Sequence, residues 1–169
     1  TNPFAALLIG IDGDGRAHVS QEFYQSGLLV GSRVDAVRRL SAGVLPEAVL
    51  VDPSSPDLIQ EMRNAGMPVR AANNDVIPGI NAVQSRLAVR DDGRPRLTVD
   101  PSCENLIREM ETYQWKPGKP KDEPVKAHDH SADAARYAFA YLDAGIGGGY
   151  LSITNSQAEQ PEQAWESSR

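Results

Sequence analysis

The run Ala48-Val49-Leu50-Val51 constrains the fold more than any other stretch of this 169-residue chain. It is continuously apolar and ends at Asp52-Pro53, which is typical of an interior strand that is covered on both faces. Such covering requires helices on either side of the sheet, as in α/β proteins. Ligands of open α/β sheets bind at the carboxyl ends of the strands. Asp52 therefore lies where a metal-binding carboxylate is expected, although it could instead form an Asx turn before the next helix.

A second acidic group lies at the start of an alanine-rich helix that is predicted to run from Asp129 past Ala138. Residues three and four positions apart share a helical face, so Asp129, His130 and Asp133 can point into one small volume. Like charges on adjacent turns repel, and a hard cation such as Mg²⁺ would relieve that repulsion. The alternative is that Asp129 caps the helix while Asp133 is a solvated surface charge or pairs with Arg136.

The rest of the chain predicts alternating strands and helices around a mixed sheet. A hairpin is predicted from Ala5–Ile11 and His18–Tyr24, joined by a glycine-containing turn at 12–15. Ser32 is predicted to cap the next helix and Gly43 to end it. Further segments are predicted as a helix at 55–65, a strand at 67–71, a helix at 80–89, a strand at 96–99 and a helix at 102–113.

The composition fits one soluble domain. A single Cys103 excludes an internal disulfide and favours a reducing cytoplasm. No apolar run approaches the roughly 18 residues that span a bilayer, so no membrane association is expected. The sequence becomes glycine-rich and then polar after residue 145. Residues 1–145 are therefore predicted to form the folded domain and residues 146–169 a flexible linker and tail.

The charge distribution matters more for nucleic-acid binding than the net charge of −6, which argues mildly against it. Four lysines cluster in a proline-rich stretch just before the acidic helix. They are Lys116, Lys119, Lys121 and Lys126. A basic loop beside an acidic site could contact the phosphates of a duplex, and it could equally be an ordinary solvated connector.

Several of these segments together resemble the C-terminal nuclease domain of the phage large terminase subunit, the DNA-packaging motor protein of tailed phages. The segments are Thr1–Gly10, Val19–Tyr24, Val51–Ser54 and the region from Tyr113 to Tyr137. The resemblance covers roughly residues 1–145. It implies a ribonuclease H-like fold, with a mixed sheet and helices on both faces, and it places residues 73–75 near the rim of the active site.

The same resemblance implies an endonuclease that cuts concatemeric double-stranded phage DNA with two Mg²⁺ or Mn²⁺ ions. Asp52 and Asp133 would be the catalytic metal ligands, and Asp129 and His130 would be further ligands or would shape the site. The lysine-rich loop would bind DNA. The implied partners are the terminase ATPase domain, the small terminase subunit and the portal protein, in the cytoplasm of the bacterial host.

One departure from the family bears on activity. The family's first metal-binding aspartate lies on a strand just before an Asn-Pro dipeptide, whereas this chain begins at Thr1. That strand and the ATPase part are therefore expected upstream, in a longer protein, and this fragment is expected to cut DNA weakly or not at all. Glu22 is a poor replacement candidate. Two alternatives remain open: a catalytically silent module that binds DNA or the portal, and another ribonuclease H-like nuclease, such as a resolvase.

Overall fold

The computed structural model describes residues 2–117, 124–125, 128–145 and 149–155. The strands in these ranges are β1 (Phe4–Ile11), β2 (Ala17–Gln25), β3 (Ala48–Val51), β4 (Val69–Ala71), β5 (Leu97–Val99) and β6 (Gly149–Asn155). The helices are α1 (Val30–Leu40), α2 (Pro56–Asn64), α3 (Val76–Leu87), α4 (Glu104–Thr112) and α5 (His130–Asp143). The described strands form one mixed sheet in the order β4-β3-β6-β1-β2-β5.

Helices cover both faces of this sheet. Successive side chains of a strand point to opposite faces, and Leu7 and Leu8 of β1 accordingly belong to different cores. Leu7 packs in the core that includes residues of α3, α4 and α5, whereas Leu8 packs with residues of α1 and α2. All four residues of β3 are buried. The α/β architecture predicted from the apolar run at 48–51 is thus confirmed.

The predicted hairpin is also confirmed, with β1 and β2 pairing antiparallel. In its turn, Oδ1 of Asp12 accepts hydrogen bonds from the backbone N–H groups of Asp14 and Arg16, at 2.9 and 2.8 Å. Gly15 has a φ of 74°, a conformation that favours glycine. The two acidic residues of this segment therefore belong to the turn.

Strand β6 differs most from the sequence-based description. It comes from the stretch predicted as a flexible linker and tail, yet it lies in the middle of the sheet. It pairs antiparallel with β1 from Ala5↔Asn155 to Ile11↔Gly149, and parallel with β3. A seven-residue strand next to a glycine-rich connector has a weak local signal, because its non-local partners decide whether it forms. The boundary drawn at residue 145 stays a prediction.

The start of α1 was predicted wrongly. The helix begins at Val30, with Leu29 as its N-cap residue and no side-chain capping bond, so Ser32 is not its cap. Leu28 and Val30 instead pack against the core on this face of the sheet. Burial of apolar residues, rather than capping, sets the start of this helix. Gly43 lies with a φ of 82° in the turn that follows its end.

Glu22 on β2 organises the starts of two helices. Its carboxylate accepts hydrogen bonds from the backbone N–H groups of Asn105 and Leu106, at 2.9 and 2.8 Å, and from the Asn105 side chain at 3.0 Å. The Ser131 hydroxyl donates a fourth bond, at 2.6 Å. The two bonds from backbone N–H groups satisfy donors in the first turn of α4 that have no partner within the helix. Glu22 thus holds α4 and α5 against the sheet.

We expect Glu22→Ala to lower the free energy of unfolding by about 2–3 kcal/mol, because it removes a charged acceptor from several donors at once. Thermal unfolding should show a decrease of roughly 5–10 °C in Tm. Gln21→Ala, at an exposed neighbouring position on the same strand, is the matched control. Equal Tm values for the two variants would contradict the capping role.

Candidate active site

Asp52 stands immediately after β3, with 3% of its surface exposed. Its Oδ1 accepts a hydrogen bond from the backbone N–H of Ser54 at 2.9 Å, so the Asx turn considered from the sequence is present. Its Oδ2 accepts a hydrogen bond from the Tyr137 hydroxyl at 2.8 Å. The second bond joins the end of β3 to α5. Asp52 therefore has a contact beyond its Asx turn.

Asp133 is buried in the first turn of α5, with 5% of its surface exposed. It is therefore not a solvated surface charge. The Arg136 side chain, one turn later, donates from Nε and Nη2 to Oδ1 of Asp133, at 3.2 and 2.8 Å. The predicted pairing with Arg136 is thus confirmed.

The charges of these acidic residues act on one another. Burial raises the pKa of Asp133, Arg136 opposes this shift, and the negative charges of Asp129 and Asp52 add to it. Burial also raises the pKa of Tyr137, and the negative charges of Asp133 and Asp52 raise it further. Asp52 and Asp133 therefore lie within electrostatic reach of each other and of the same tyrosine. This is the environment in which a cation would be stabilised.

Asp129 and His130 occupy the start of the same helix. Asp129 is the N-cap residue of α5, and its backbone carbonyl, not its side chain, accepts the hydrogen bond from the N–H of Asp133, at 2.7 Å. The His130 ring contacts the Tyr24 ring edge-on, with centroids 6.2 Å apart. Burial lowers the pKa of His130, and the negative charge of Asp129 opposes this shift. The proposed roles of both residues as metal ligands stay predictions.

Glu109 was not singled out from the sequence, although it lies three residues after Leu106 within an otherwise apolar stripe. Its side chain is 1% exposed. It accepts hydrogen bonds from the Tyr24 hydroxyl and from the N–H of Ala132, both at 2.9 Å. Burial raises the pKa of Glu109, and these bonds oppose the shift. Glu109 thus fixes the first turn of α5, the turn that carries Asp133.

The lysine-rich loop lies only partly within the described residues. Lys116 is half-buried and follows Trp115, which is 42% exposed. Lys119, Lys121 and Lys126 lie outside the described residues. Their predicted contact with DNA stays a prediction.

The same architecture is found in solved large terminase structures. The large terminase of a thermophilic bacteriophage, solved in complex with ADP, is 26% identical with a TM-score of 0.74 over 83% of this chain. The nuclease domain of the bacteriophage P22 large terminase is 18% identical with a TM-score of 0.64 over 84% of this chain, and covers 76% of its own. The chain has the fold of a phage large terminase nuclease domain.

A third terminase structure bears on cofactors. The nuclease domain of the SPP1 large terminase, solved with bound Mn, is 18% identical, with a TM-score of 0.59, over 85% of this chain and 80% of its own.

The ribonuclease H-like fold implied by the sequence is confirmed by these terminase comparisons. The chain spans 36% of the terminase solved with ADP. No family profile matches the sequence, and no curated protein matches it. None of the described helices is both long and apolar enough to cross a membrane.

The donor set at the acidic site fits a single hard cation. Within the described ranges, no group of three or more His, Cys, Asp or Glu residues is arranged to hold a metal ion. Mg²⁺, however, is usually held by only one or two carboxylates, and completes its shell with water and substrate phosphate. Asp52 and Asp133 supply two buried carboxylates from two elements. The pair could supply ligands to one such cation, whereas a second ion would need further ligands.

Proposed function

We propose that this chain is a metal-dependent endonuclease domain of a phage DNA-packaging terminase, which cleaves double-stranded concatemeric DNA. The observation that carries the proposal is the pair of buried carboxylates, Asp52 and Asp133, which lie at the end of β3 and in the first turn of α5 and are electrostatically coupled. Burying two carboxylates is costly unless their charge is compensated. Arg136 compensates one charge, and a divalent cation would compensate the rest.

The residues around the pair orient it. The Tyr137 hydroxyl and the Ser54 N–H fix the Asp52 carboxylate, and Arg136 fixes that of Asp133. Divalent ions bound here would lower the pKa of an attacking water and stabilise charge on the scissile phosphate, so that no side chain need serve as the general base. We include in this proposal two ions, Mg²⁺ or Mn²⁺, with Asp129 and His130 as additional ligands that would have to move towards the pair, because the described residues hold no group of three such ligands in place.

A plasmid cleavage assay tests the activity. The 169-residue chain, and a version extended upstream of Thr1, are incubated with supercoiled plasmid in Mg²⁺, Mn²⁺ or EDTA. We expect weak or no cutting by the chain, clear cutting by the extended protein in Mg²⁺ or Mn²⁺, and none by either protein in EDTA. Cutting that persists in EDTA, or its absence in both proteins with either metal, would contradict the proposal.

A second candidate is a catalytically silent module that binds DNA or the portal protein. The direct pairing of Asp133 with Arg136 favours it, because that arginine already neutralises one carboxylate. This candidate predicts that the domain binds DNA equally well with and without divalent ions and cuts it in neither case. The assay above therefore separates the two candidates. The ATPase domain, the small terminase subunit and the portal protein are the partners that we propose for either one.

The lysine-rich loop provides a separate prediction about DNA. We expect simultaneous replacement of Lys116, Lys119, Lys121 and Lys126 by Ala to weaken duplex binding for every sequence tested, because phosphate contacts do not read bases. The slope of log affinity against log salt should fall by roughly 0.9 per lost contact, as measured by fluorescence anisotropy at several salt concentrations. Unchanged affinity and slope would make the loop an ordinary connector.

A further inference from the structure

The Arg136 side chain connects the acidic site with the start of α3. While Nε and Nη2 donate to Asp133, Nη1 donates to the backbone carbonyls of Asn74 and Asp75, at 2.9 and 3.0 Å. Arg136 is 4% exposed. A planar guanidinium that makes four hydrogen bonds in a buried setting has few alternative orientations. One side chain therefore fixes both a carboxylate of the site and the loop that precedes α3.

Gly79 provides the space in which Arg136 lies. A Cβ atom at position 79 would overlap Cγ of Arg136 and lie 2.7 Å from its Cδ, well inside any carbon–carbon contact distance. The N–H of Gly79 donates to the Asp75 carbonyl, which also accepts from Arg136. The glycine is needed here for the close approach of a side chain and not for an unusual backbone angle.

We infer that Gly79 and Arg136 are a positioning pair for the Asp133 carboxylate, an inference that rests on the proposed function. Gly79 lets the arginine reach both of its targets, and Arg136 sets the orientation in which Asp133 meets a cation. Residues that orient a metal ligand typically affect metal affinity 10- to 100-fold without touching the metal. The loop at 74–75 is thereby held in a fixed relation to the site.

Gly79→Ala tests the pair while leaving every charged group in place. Gly31→Ala is the matched control, because Gly31 also lies in a helix and a Cβ there meets nothing within 4 Å. Mn²⁺ affinity is measured on the 169-residue chain by calorimetric titration, alongside thermal unfolding. We expect Gly79→Ala to bind Mn²⁺ at least about tenfold more weakly and Gly31→Ala to match the unsubstituted chain. Equal affinity in both variants would overturn the inference.

A double-mutant cycle covers the case in which Gly79→Ala unfolds the domain. Arg136→Ala removes the atoms that the new Cβ would strike, so adding Gly79→Ala to it should lower Tm no further. An equal decrease in both backgrounds would show that the glycine serves something other than the arginine. Arg136→Lys keeps the charge but not the planar fork, and should bind Mn²⁺ as weakly as Arg136→Ala. Full Mn²⁺ affinity in the lysine variant would show that Arg136 acts only through its positive charge and does not orient Asp133.

A readout without metal separates this inference from the proposed function. The Arg136 Nε–H should exchange slowly with solvent in NMR spectra of the unsubstituted chain and of Gly31→Ala, and rapidly in Gly79→Ala. If the unsubstituted chain binds no Mn²⁺, the proposed function fails, and the loss of protection in Gly79→Ala still supports the geometric pair. Protection that survives in Gly79→Ala overturns the pair, whatever the metal does.

Discussion

Deletion of residues 146–169 is expected to abolish the cooperative unfolding transition of the domain. The deletion removes β6, which pairs with β1 along seven residues and with β3 along four. Without it the sheet divides into β4-β3 and β1-β2-β5, and backbone groups of two buried strands lose their hydrogen-bond partners. Burying such groups without partners costs free energy, and the summed cost exceeds the usual free energy of unfolding of a domain.

The control is a shorter deletion, of residues 156–169, which leaves β6 intact. Circular dichroism followed during heating should give a cooperative transition for the shorter deletion and a broad or absent one for the longer. A longer deletion that unfolds at the temperature of the complete chain would show that β6 is dispensable. The sheet would then close by pairing β1 with β3.

Asp52→Asn and Asp133→Asn should each reduce metal-dependent cleavage by at least about 100-fold, because each removes a negative ligand that would hold a cation at the scissile phosphate. Asparagine keeps the size of the side chain, but Asp133→Asn also breaks the buried ion pair with Arg136, so the thermal unfolding of each variant is measured alongside cleavage to separate lost activity from lost folding. The assay compares nicking rates of supercoiled plasmid in Mn²⁺, in the most active form of the protein. Asp57→Asn, at an exposed acid in the first turn of α2, is the control. Activity in either site variant equal to that of the control would reassign the site.

The sequence predicted those parts of the molecule whose signals are local. The apolar run at 48–51, the turn at 12–15 and the alanine-rich helix all carry their information within about ten residues, and each has the predicted form. The pairing of Asp133 with Arg136 follows from helical spacing alone. In each case the neighbours along the chain are also the neighbours in space.

The features that the sequence did not predict depend on distant partners. Glu22 and Glu109 cap helices that lie far from them in sequence or on another element, and no local pattern around either residue indicates that role. Strand β6 depends on β1 and β3, which both lie in the first third of the chain. The fit of Arg136 against Gly79 joins two helices. No periodicity within a single segment contains this information.

The most direct test of the metal site is the anomalous scattering of Mn²⁺ in crystals of the domain. We predict a Mn²⁺ peak within roughly 2.0–2.6 Å of carboxylate oxygens from both Asp52 and Asp133, with the two carboxylates less than about 6 Å apart. The peak should disappear in Asp133→Asn. A peak bound elsewhere, or the two carboxylates more than about 12 Å apart, too far to share bridged ions, would contradict the account of this domain as a metal-dependent nuclease.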